Sequence, residues 1–589
     1  MGDGDNRANH HGVGRRVVMG SHAMNLPALT ALRWIPACAL LVACADTVAG
    51  VDGAVGPDRR DAGGDMADVV DGGGWPLPRD PRAPRLIAPL SPSYTTHRRP
   101  TLRWAPPAGT TGAIVEICRD RACTSVEERL EVEGGSARPT RELPPGSHFW
   151  RVTARDASSV GRERSATWVF RSPFVSSEAD NSTGTFLDVN GDGRNDLVIR
   201  TQIEPSVAGP TLLYLANQDG LARESSSRLP SGLVSHVGDI NGDGFTDLLW
   251  CVPVIDPALQ PEARIFFGDS SGLSSESLAL QLRGPLDGIY ANSVGDVNGD
   301  GYGDLAVGGW WVQPPPGVSR SQTRIYLGGP DGVAENRTLD YSTQATGDDL
   351  LEGLRGEIGD FNGDRFNDLI QYTLPSPTLG VFRGGRSRPS TRSSFRLGAY
   401  ERFYFNNGYG LEWLALSTTL CDINRDGLAD IVSQMKSENG SERAGVYFGT
   451  RTPPSLIYAT HEFTLSTVRG VRGITRFAQC MGDANGDSHS DVLLEDDETI
   501  RWAPGTGKGL GNWQQLDSLS DGSEPRAALG SGDINGDGFT DVLIVSSTAI
   551  QLRRGSMNGF GMPEEILQAN EIRFGQGTSP RINVTGCIF

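Results

Sequence analysis

The stretch GDVNGDGYGDLAVGG, at 295–309, concentrates acidic side chains ahead of an apolar run: Asp296, Asn298, Asp300 and Asp304 occupy positions 1, 3, 5 and 9 of a nine-residue loop. Two carboxylates about 4 Å apart repel by roughly 4 kcal/mol at an effective dielectric constant near 20, so a cation is expected among them. Side-chain oxygens at these positions, with a backbone carbonyl at position 7, suit a hard cation that binds six to eight oxygens. The spacing predicts a calcium site.

Seven such loops follow one another between Asp188 and Asp541, and their starts lie 50 to 64 residues apart. A period of this size predicts a repeat architecture with one loop per unit. The predicted ligands, enough for up to seven structural calcium ions, are Asp188, Asn190, Asp192, Asp196, Asp239, Asn241, Asp243, Asp247, Asp296, Asn298, Asp300, Asp304, Asp360, Asn362, Asp364, Asp368, Asp422, Asn424, Asp426, Asp430, Asp483, Asn485, Asp487, Asp491, Asp533, Asn535, Asp537 and Asp541.

Three alternatives to this calcium site are an EF-hand, a zinc site and a turn without metal. An EF-hand needs Glu at position 12, which none of the seven loops has, and zinc prefers His and Cys. Asn-Gly and Asp-Gly turns without metal remain the alternative. That alternative is strongest in the fourth and sixth loops, where Arg365 and Ser488 replace the Gly at position 6, and weaker in the fifth, where Arg425 replaces the Gly at position 4.

The segments between the loops are rich in strands. Each loop is followed by an apolar run, such as Leu197-Val198-Ile199, which is typical of a strand covered on both faces. A second strand, usually ending in Gly, follows in most repeats, for example RIFFG at 264–268. Seven strand-rich units of about 59 residues predict a seven-bladed β-propeller over 174–589.

A smaller β-domain is predicted over 86–173, where short alternating strands such as AIVEIC at 113–118 lie between Pro and Gly turns. Cys118 and Cys123 are spaced for a local disulfide, which an exported protein can keep. The predicted fold class is therefore all-β, a seven-bladed propeller preceded by a small sandwich.

Two resemblances refine this interpretation. LPPGSHFWRVTARD at 143–156 resembles the penultimate strand of fibronectin type III domains, which implies a spacer or docking domain. The seven loops resemble those of FG-GAP repeats in integrin α-subunits and VCBS repeats in bacterial surface proteins. That resemblance implies a propeller with calcium held between the first and second strands of each blade. The Phe-Gly half of the repeat is mostly missing, and Gly308-Gly309 stands where Gly-Ala-Pro is typical.

The N-terminal region predicts export. Leu41-Val42-Ala43-Cys44 follows a short apolar run and resembles a bacterial lipobox, which implies a signal peptide over 1–43 and a lipid on Cys44. An ordinary secretory signal is the alternative. Residues 44–85 are rich in Gly, Asp and Pro and are predicted to form a flexible tether. The expected location is the bacterial envelope, at the outer membrane or cell surface.

The predicted function is a binding or adhesion module for a protein or glycan. A formal charge of −19 argues against nucleic acid. Connections on the face opposite the loops carry aromatic candidates for ligand binding, Trp310, Trp311, Tyr400, Tyr404 and Tyr409, and packing between blades or strand extension is the alternative role. No catalytic constellation is evident in the sequence, so an enzyme is not expected. A carbohydrate-active enzyme and a structural envelope protein remain the alternative functions.

Overall fold

The computed structural model describes residues 83–155, 160–177, 180–183, 186–204, 207–252, 262–280, 290–313, 318–333, 338–341, 350–357, 359–374, 378–386, 389–390, 394–398, 422–436, 442–454, 456–465, 477–495, 499–518, 527–546, 549–568 and 587–588. The predicted leader, Cys44 and the predicted tether up to residue 82 lie outside these residues, as do Tyr400, Tyr404 and Tyr409. Every regular element within them is a β-strand. They include no helix with the length and hydrophobicity to cross a bilayer.

The first part of the chain forms two sheets. Its strands are β1 Arg85–Ala88, β2 Ser93–Thr95, β3 Leu102–Ala105, β4 Gly112–Cys118, β5 Val126–Glu133, β6 Ser136–Ala137, β7 Gly146–Arg155, β8 Val160–Arg164, β9 Trp168–Ser172 and β10 Ser182–Thr183. One sheet has the order β1-β3-β6, and the other has the order β10-β2-β9-β7-β4-β5 with β8 beside β7. We call this part the sandwich.

Burial in the sandwich follows the sequence pattern. Strand β4, GAIVEIC, is buried along its whole length because it lies between β5 and β7, whereas β5, VEERLEVE, alternates in exposure at the sheet edge. Trp104, Trp150 and Trp168 share one core. A disulfide joins Cys118 to Cys123.

The remaining strands form the repeats: β11 Leu197–Glu204, β12 Val207–Tyr214, β13 Ala216–Asn217, β14 Gly220–Leu221, β15 Ser227–Leu229, β16 Leu233–His236, β17 Leu248–Val252, β18 Glu262–Asp269, β19 Gly272–Ala279, β20 Tyr290–Gly295, β21 Asp304–Gln313, β22 Val318–Tyr326, β23 Thr338–Tyr341, β24 Leu350–Glu357, β25 Leu369–Leu374, β26 Thr378–Phe382, β27 Phe395–Gly398, β28 Ile431–Lys436, β29 Glu442–Tyr447, β30 Leu456–Tyr458, β31 His461–Leu465, β32 Phe477–Gly482, β33 Asp491–Glu495, β34 Thr499–Ala503, β35 Gly505–Thr506, β36 Gly509–Leu510, β37 Gln514–Ser518, β38 Ala527–Gly532, β39 Asp541–Val545, β40 Ala549–Arg553, β41 Glu564–Gln568 and β42 Cys587–Ile588.

Among the described residues, each acidic loop has its own sheet. The sheet orders, in chain order of the loops, are β15-β12-β11-β42, β16-β17-β18-β19, β20-β21-β22-β23, β24-β25-β26-β27-β30, β28-β29-β31, β32-β33-β34-β37 and β38-β39-β40-β41. Antiparallel neighbours in sequence give each sheet a meander. In the first sheet, the edge strand β42 comes from the C-terminal end of the chain and pairs with β11.

Hydrophobic clusters join consecutive sheets. Val198 of the first sheet packs in a cluster with Leu248 and Trp250 of the second, and the same relation continues from sheet to sheet. A further cluster places Leu197 and Ile199 of the first sheet with Leu543 and Val545 of the seventh. The last sheet therefore packs against the first.

The glycine that follows the third strand of a sheet allows close approach between sheets. A Cβ atom on Gly505 would lie 2.3 Å from the carbonyl oxygen of Ser490 and 2.8 Å from that of Ile423, in the preceding loop. Gly555 and Gly328 have equivalent surroundings. The Gly seen in the sequence at the end of this strand is thus required by backbone packing.

One placement differs from the sequence-based expectation. Trp310 and Trp311 were expected in a connection, with strand extension as an alternative, and both lie in β21, paired with Ser321 and Arg320 of β22. Only residues 314–317 separate the two strands. The polar and Pro-rich segment suggested a loop because the apolar run appeared to end at Val307, whereas main-chain pairing continues six residues further.

Candidate functional site

The seven acidic loops share one backbone conformation. Positions 4 and 6 have positive φ in every loop, with values between 58° and 96°. Glycine adopts this left-handed region without penalty. The three other residues found there are Arg365, Arg425 and Ser488.

The aspartate at position 1 organises its own loop. In the first loop, the Oδ1 atom of Asp188 accepts a hydrogen bond from the N–H of Asp192 at 2.9 Å, and Oδ2 accepts one from the N–H of Gly193 at 2.8 Å. The same two bonds occur in the other six loops. This carboxylate therefore caps the turn.

The aspartate at position 9 ties the loop to the third strand of its sheet. Asp247 accepts a hydrogen bond from the N–H of Ile240, at position 2, and another from the N–H of Gly268, at the end of β18. All seven loops repeat this pair of bonds. Sequence reasoning assigned this aspartate to calcium only and missed its second role.

A ring of backbone hydrogen bonds connects the loops. The carbonyl oxygen at position 1 of each loop accepts a hydrogen bond from the N–H at position 8 of the next loop, over 2.8 to 3.3 Å. The donor and acceptor pairs are Thr246 to Asp188, Gly303 to Asp239, Asn367 to Asp296, Ala429 to Asp360, Ser490 to Asp422, Thr540 to Asp483 and Asn195 to Asp533. Because the last pair joins the seventh loop to the first, the ring is closed.

The carboxylates of a loop destabilise one another's charged forms. Burial, followed by repulsion from Asp192, raises the pKa of Asp188 to about 7. Burial and neighbouring carboxylates likewise raise the pKa of Asp296 to about 7 and that of Asp541 to about 8. The pKa of Asp247 is well above its usual value for the same reasons. A positive charge placed among these groups would relieve the repulsion.

The loop side chains carry the oxygen atoms that a hard cation prefers, but their carboxylates accept hydrogen bonds from backbone N–H groups. No group of three or more His, Cys, Asp or Glu side chains in the described part of the chain is arranged to hold a metal ion. In five loops the Asn at position 3 also donates its amide hydrogen to the Asp at position 5. The donor set nevertheless consists only of oxygens from carboxylates, amides and carbonyls, as calcium prefers.

The fourth and sixth loops differ from the others. Asn362 donates its amide to both oxygens of Asp368, at position 9. In the sixth loop, burial acts to raise the pKa of Asp487, but hydrogen bonds from the side chain and N–H of His489 bring it below its usual value. These loops are the two in which position 6 is not Gly, so their local sequence and electrostatics both depart from the pattern.

The sandwich is docked on the loops. Arg171 of β9 is buried and donates hydrogen bonds to the Oδ1 of Asn195 at 2.6 Å, to the carbonyl oxygen of Gly193 at 2.7 Å and to that of Asp533 at 3.1 Å. Its guanidinium also lies 4.1 Å from the centroid of the Phe186 ring. One arginine of the sandwich therefore bridges the first and seventh loops.

Further contacts extend the interface around the ring. Arg121 donates to the carbonyl oxygens of Asp243 and Gly244 in the second loop, each at 2.8 Å. The remaining contacts, from the third loop to the seventh, are Arg85 to the Asp300 carbonyl, Asn181 to Asp360, Ser177 to Asp422, the Val175 N–H to Ser488, and Phe174 against Phe539. The sandwich and the segment after it therefore contact all seven loops.

Two cysteines and a histidine outside the acidic loops have varied surroundings. Cys480 is disulfide-bonded, and Cys251 is buried. Both ring nitrogens of His148 face oxygen acceptors in the sandwich, Glu127 at 2.6 Å and the carbonyl of Pro144 at 2.7 Å. His148 therefore has a packing role.

Comparisons with known proteins agree with the repeat pattern. The family described as FG-GAP-like repeat matches residues 188–250 and 483–560. The chain is 30% identical over 144 residues to integrin alpha-IIb of Mus musculus, covering 21% of this chain and 14% of that subunit. It is 27% identical over 139 residues to integrin alpha-4 of Xenopus laevis, covering 20% and 13%.

The chain thus spans only about a seventh of the length of the integrin subunits that it matches. A structural comparison with AofleA of Arthrobotrys oligospora covers 64% of this chain and 93% of that one, at 12% identity and a TM-score of 0.26, which carries no argument about fold. The chain therefore contains segments that match FG-GAP-like repeats, at residues 188–250 and 483–560.

Proposed function

We propose that the chain is a binding module built on a calcium-stabilised, seven-bladed β-propeller and exposed at a bacterial cell surface. The observation that carries the proposal is the closed ring of hydrogen bonds between the seven loops. Seven meander sheets that pack in sequence, with the seventh against the first and β42 completing the first sheet, support the propeller architecture.

Calcium is proposed because the loops concentrate buried carboxylates that raise one another's pKa. The ligands would be the residues at positions 1, 3, 5 and 9. A site with a dissociation constant near 10⁻⁴ M would add about 1.4 kcal/mol of stability in about 1 mM calcium, by mass action. The third loop, which has Gly at positions 4 and 6, fits this role better than the fourth and sixth loops.

The ligand-binding face is proposed to be the one opposite the loops, because the sandwich covers the loop face. The similar integrin subunits support adhesion as the kind of function. Connections between the second and third strands of a sheet lie away from the loops, and the hairpin that carries Trp310 and Trp311 is one of them. Its ligand would be a protein or a glycan.

The experiment measures stability and binding together. Thermal unfolding of the purified chain is followed in 1 mM calcium, 1 mM magnesium and excess chelator, alongside a screen of glycans and envelope proteins. We expect calcium alone to raise the melting temperature by several degrees and to be required for binding. Equal melting temperatures in calcium and chelator would refute the calcium proposal, and calcium stabilisation without any bound partner would refute the binding proposal.

The lipid anchor is tested separately. Expression with a labelled fatty acid should label the parent chain, whereas the Cys44→Ser variant should remain unlabelled. A labelled Cys44→Ser variant would contradict a lipid on this residue.

A further inference from the structure

Two arginines of the sandwich lie between neighbouring acidic loops. Arg171 donates hydrogen bonds to the carbonyl oxygens of Gly193 in the first loop and Asp533 in the seventh. Arg121 donates to two carbonyl oxygens of the second loop, at positions 5 and 6, each at 2.8 Å. A Cβ atom added to Gly191, at position 4 of the first loop, would lie 2.6 Å from Nη1 of Arg121. The first loop is therefore flanked by both guanidinium groups.

These guanidinium groups act on carboxylates that are predicted to bind calcium. Burial and repulsion from Asp192 raise the pKa of Asp188 to about 7. The positive charges of Arg171 and Arg121 oppose this shift. Burial likewise raises the pKa of Asp533, and the charge of Arg171 opposes it. Both arginines thus already supply part of the positive charge that these loops attract.

The segment after β9 contacts the fifth loop through uncharged groups. The hydroxyl of Ser177 donates to Oδ2 of Asp422, at position 1 of that loop, over 3.3 Å. The amide of Asn181 donates to the carbonyl oxygen of Gly427 over the same distance. The fifth loop is therefore an internal comparison, because these contacts bring no guanidinium group to it.

We propose that Arg121 and Arg171 compete with calcium for the first, second and seventh loops, so that calcium binding and docking of the sandwich oppose each other. A guanidinium group and a calcium ion that share the same carboxylates repel each other, most strongly where burial limits screening by water. Coupling between two binding events is reciprocal, so arginines that weaken calcium binding are themselves displaced by calcium. The inference rests on the calcium sites of the proposed function and deepens it, since exposure of the loop face then depends on calcium.

Calcium titration of the purified full chain by calorimetry, after removal of metal and in about 0.15 M salt, measures this coupling. Arg121→Gln removes the charge and should raise the calcium affinity of one or more sites by roughly tenfold, within the usual range for coupled sites. Arg121→Lys keeps the charge and should keep the parental affinity. Arg129→Gln is the matched control and should also keep it, because Arg129 forms an exposed ion pair with Glu116 on the sandwich.

The outcomes separate this inference from the proposed function. Calcium binding of equal strength in the parent and in Arg121→Gln, or weaker binding in the variant, would overturn the competition alone. If neither chain binds calcium, the proposed calcium sites fail and the competition fails with them.

A second measurement needs no substitution. Phenylglyoxal, which modifies accessible guanidinium groups, is applied to the parent chain in about 1 mM calcium, about 1 mM magnesium and excess chelator. Mass spectrometry then locates the modified residues. Calcium alone should speed the labelling of Arg121 several-fold, whereas Arg129, which is already exposed, should be labelled equally in all three solutions. Equal or slower labelling of Arg121 in calcium would show that calcium does not displace the sandwich.

Discussion

Each acidic loop contains two residues, at positions 4 and 6, whose backbone is left-handed. Eleven of the fourteen residues at positions 4 and 6 are glycine. Replacing Arg425 at position 4 by Gly should raise the free energy of unfolding by about 1 kcal/mol. A left-handed residue other than glycine is strained by roughly 1 to 2 kcal/mol, and glycine removes this strain. Glycine also makes the unfolded chain more flexible, which offsets part of the stabilisation. Denaturant unfolding of Arg425→Gly measures this change.

The reverse substitution is the control. A Cβ atom on Gly242 would lie 2.6 Å from the ring of Tyr302 in the next loop, so Gly242→Ala should lower stability by about 1 to 3 kcal/mol through strain and overpacking. Loss of stability in Arg425→Gly would show that its side chain contributes more than its backbone costs.

The pair of Glu127 and His148 gives the sandwich a pH dependence. The hydrogen bond from His148 lowers the pKa of Glu127 below its usual value, although burial opposes this shift. A carboxyl group whose pKa is lower in the folded protein than in the unfolded chain stabilises the fold at pH values above its unfolded pKa. This stabilisation is lost as the pH falls through the pKa of the folded state. Glu127→Gln should therefore cost about 1 to 3 kcal/mol at pH 7, typical of a lost hydrogen bond to a charged group, and progressively less below about pH 4.5.

Melting curves of parent and variant between pH 3 and 8 test this expectation. Glu131→Gln is the control, because Glu131 forms an exposed ion pair with Arg155. Exposed pairs contribute about 0 to 1 kcal/mol, so its effect should be small at every pH. A deficit in Glu127→Gln that stays constant down to pH 3 would contradict the assigned pair.

Packing between sheets depends on the glycine that follows the third strand of a sheet. Gly505→Ala should destabilise the chain by about 1 to 3 kcal/mol, because its Cβ would meet two backbone carbonyls that cannot move independently. Gly507 lies two residues away, and a Cβ there would meet nothing within 4 Å. Gly507→Ala should leave the unfolding midpoint unchanged. Equal midpoints for both variants would show that the sheets can separate to accept the methyl group.

The elements that recur along the sequence, the acidic loops and the strands after them, could be predicted from it. The acidic loops and the apolar strands after them were found because spacing and hydrophobicity recur seven times, and the structure places β17 directly after its loop as expected. The backbone bonds of Asp247 were missed, since a carboxylate that accepts N–H groups and one that binds a cation look alike in sequence. Strand extension at Trp310 was named as an alternative but could not be assigned, because main-chain pairing needs no apolar pattern.

Assembly of the whole molecule could not be predicted from sequence. Arg171 and Arg121 bind the loops through carbonyl oxygens, which every residue has, so no pattern of side chains in the loops reveals the partner. Ring closure by β42 was equally hidden, since Cys587 and Ile588 form a pair too short to show periodicity. The sequence therefore predicts two domains but not the contacts that join them at the loop face.

Arg171 is the residue on which this joining depends most. Its guanidinium is the common donor to the first and seventh loops, and its charge lies near the carboxylate of Asp533. Arg171→Met keeps the length of the side chain but leaves buried acceptors unpaired, so we expect a loss of about 3 to 5 kcal/mol, typical of a broken buried ion pair. Calorimetry should show one transition for the parent and an earlier, separate transition of the sandwich in the variant. Arg129→Met, at an exposed ion pair on β5, should retain the single transition. A single transition at the parental temperature in Arg171→Met would mean that the remaining contacts suffice to hold the sandwich on the loops.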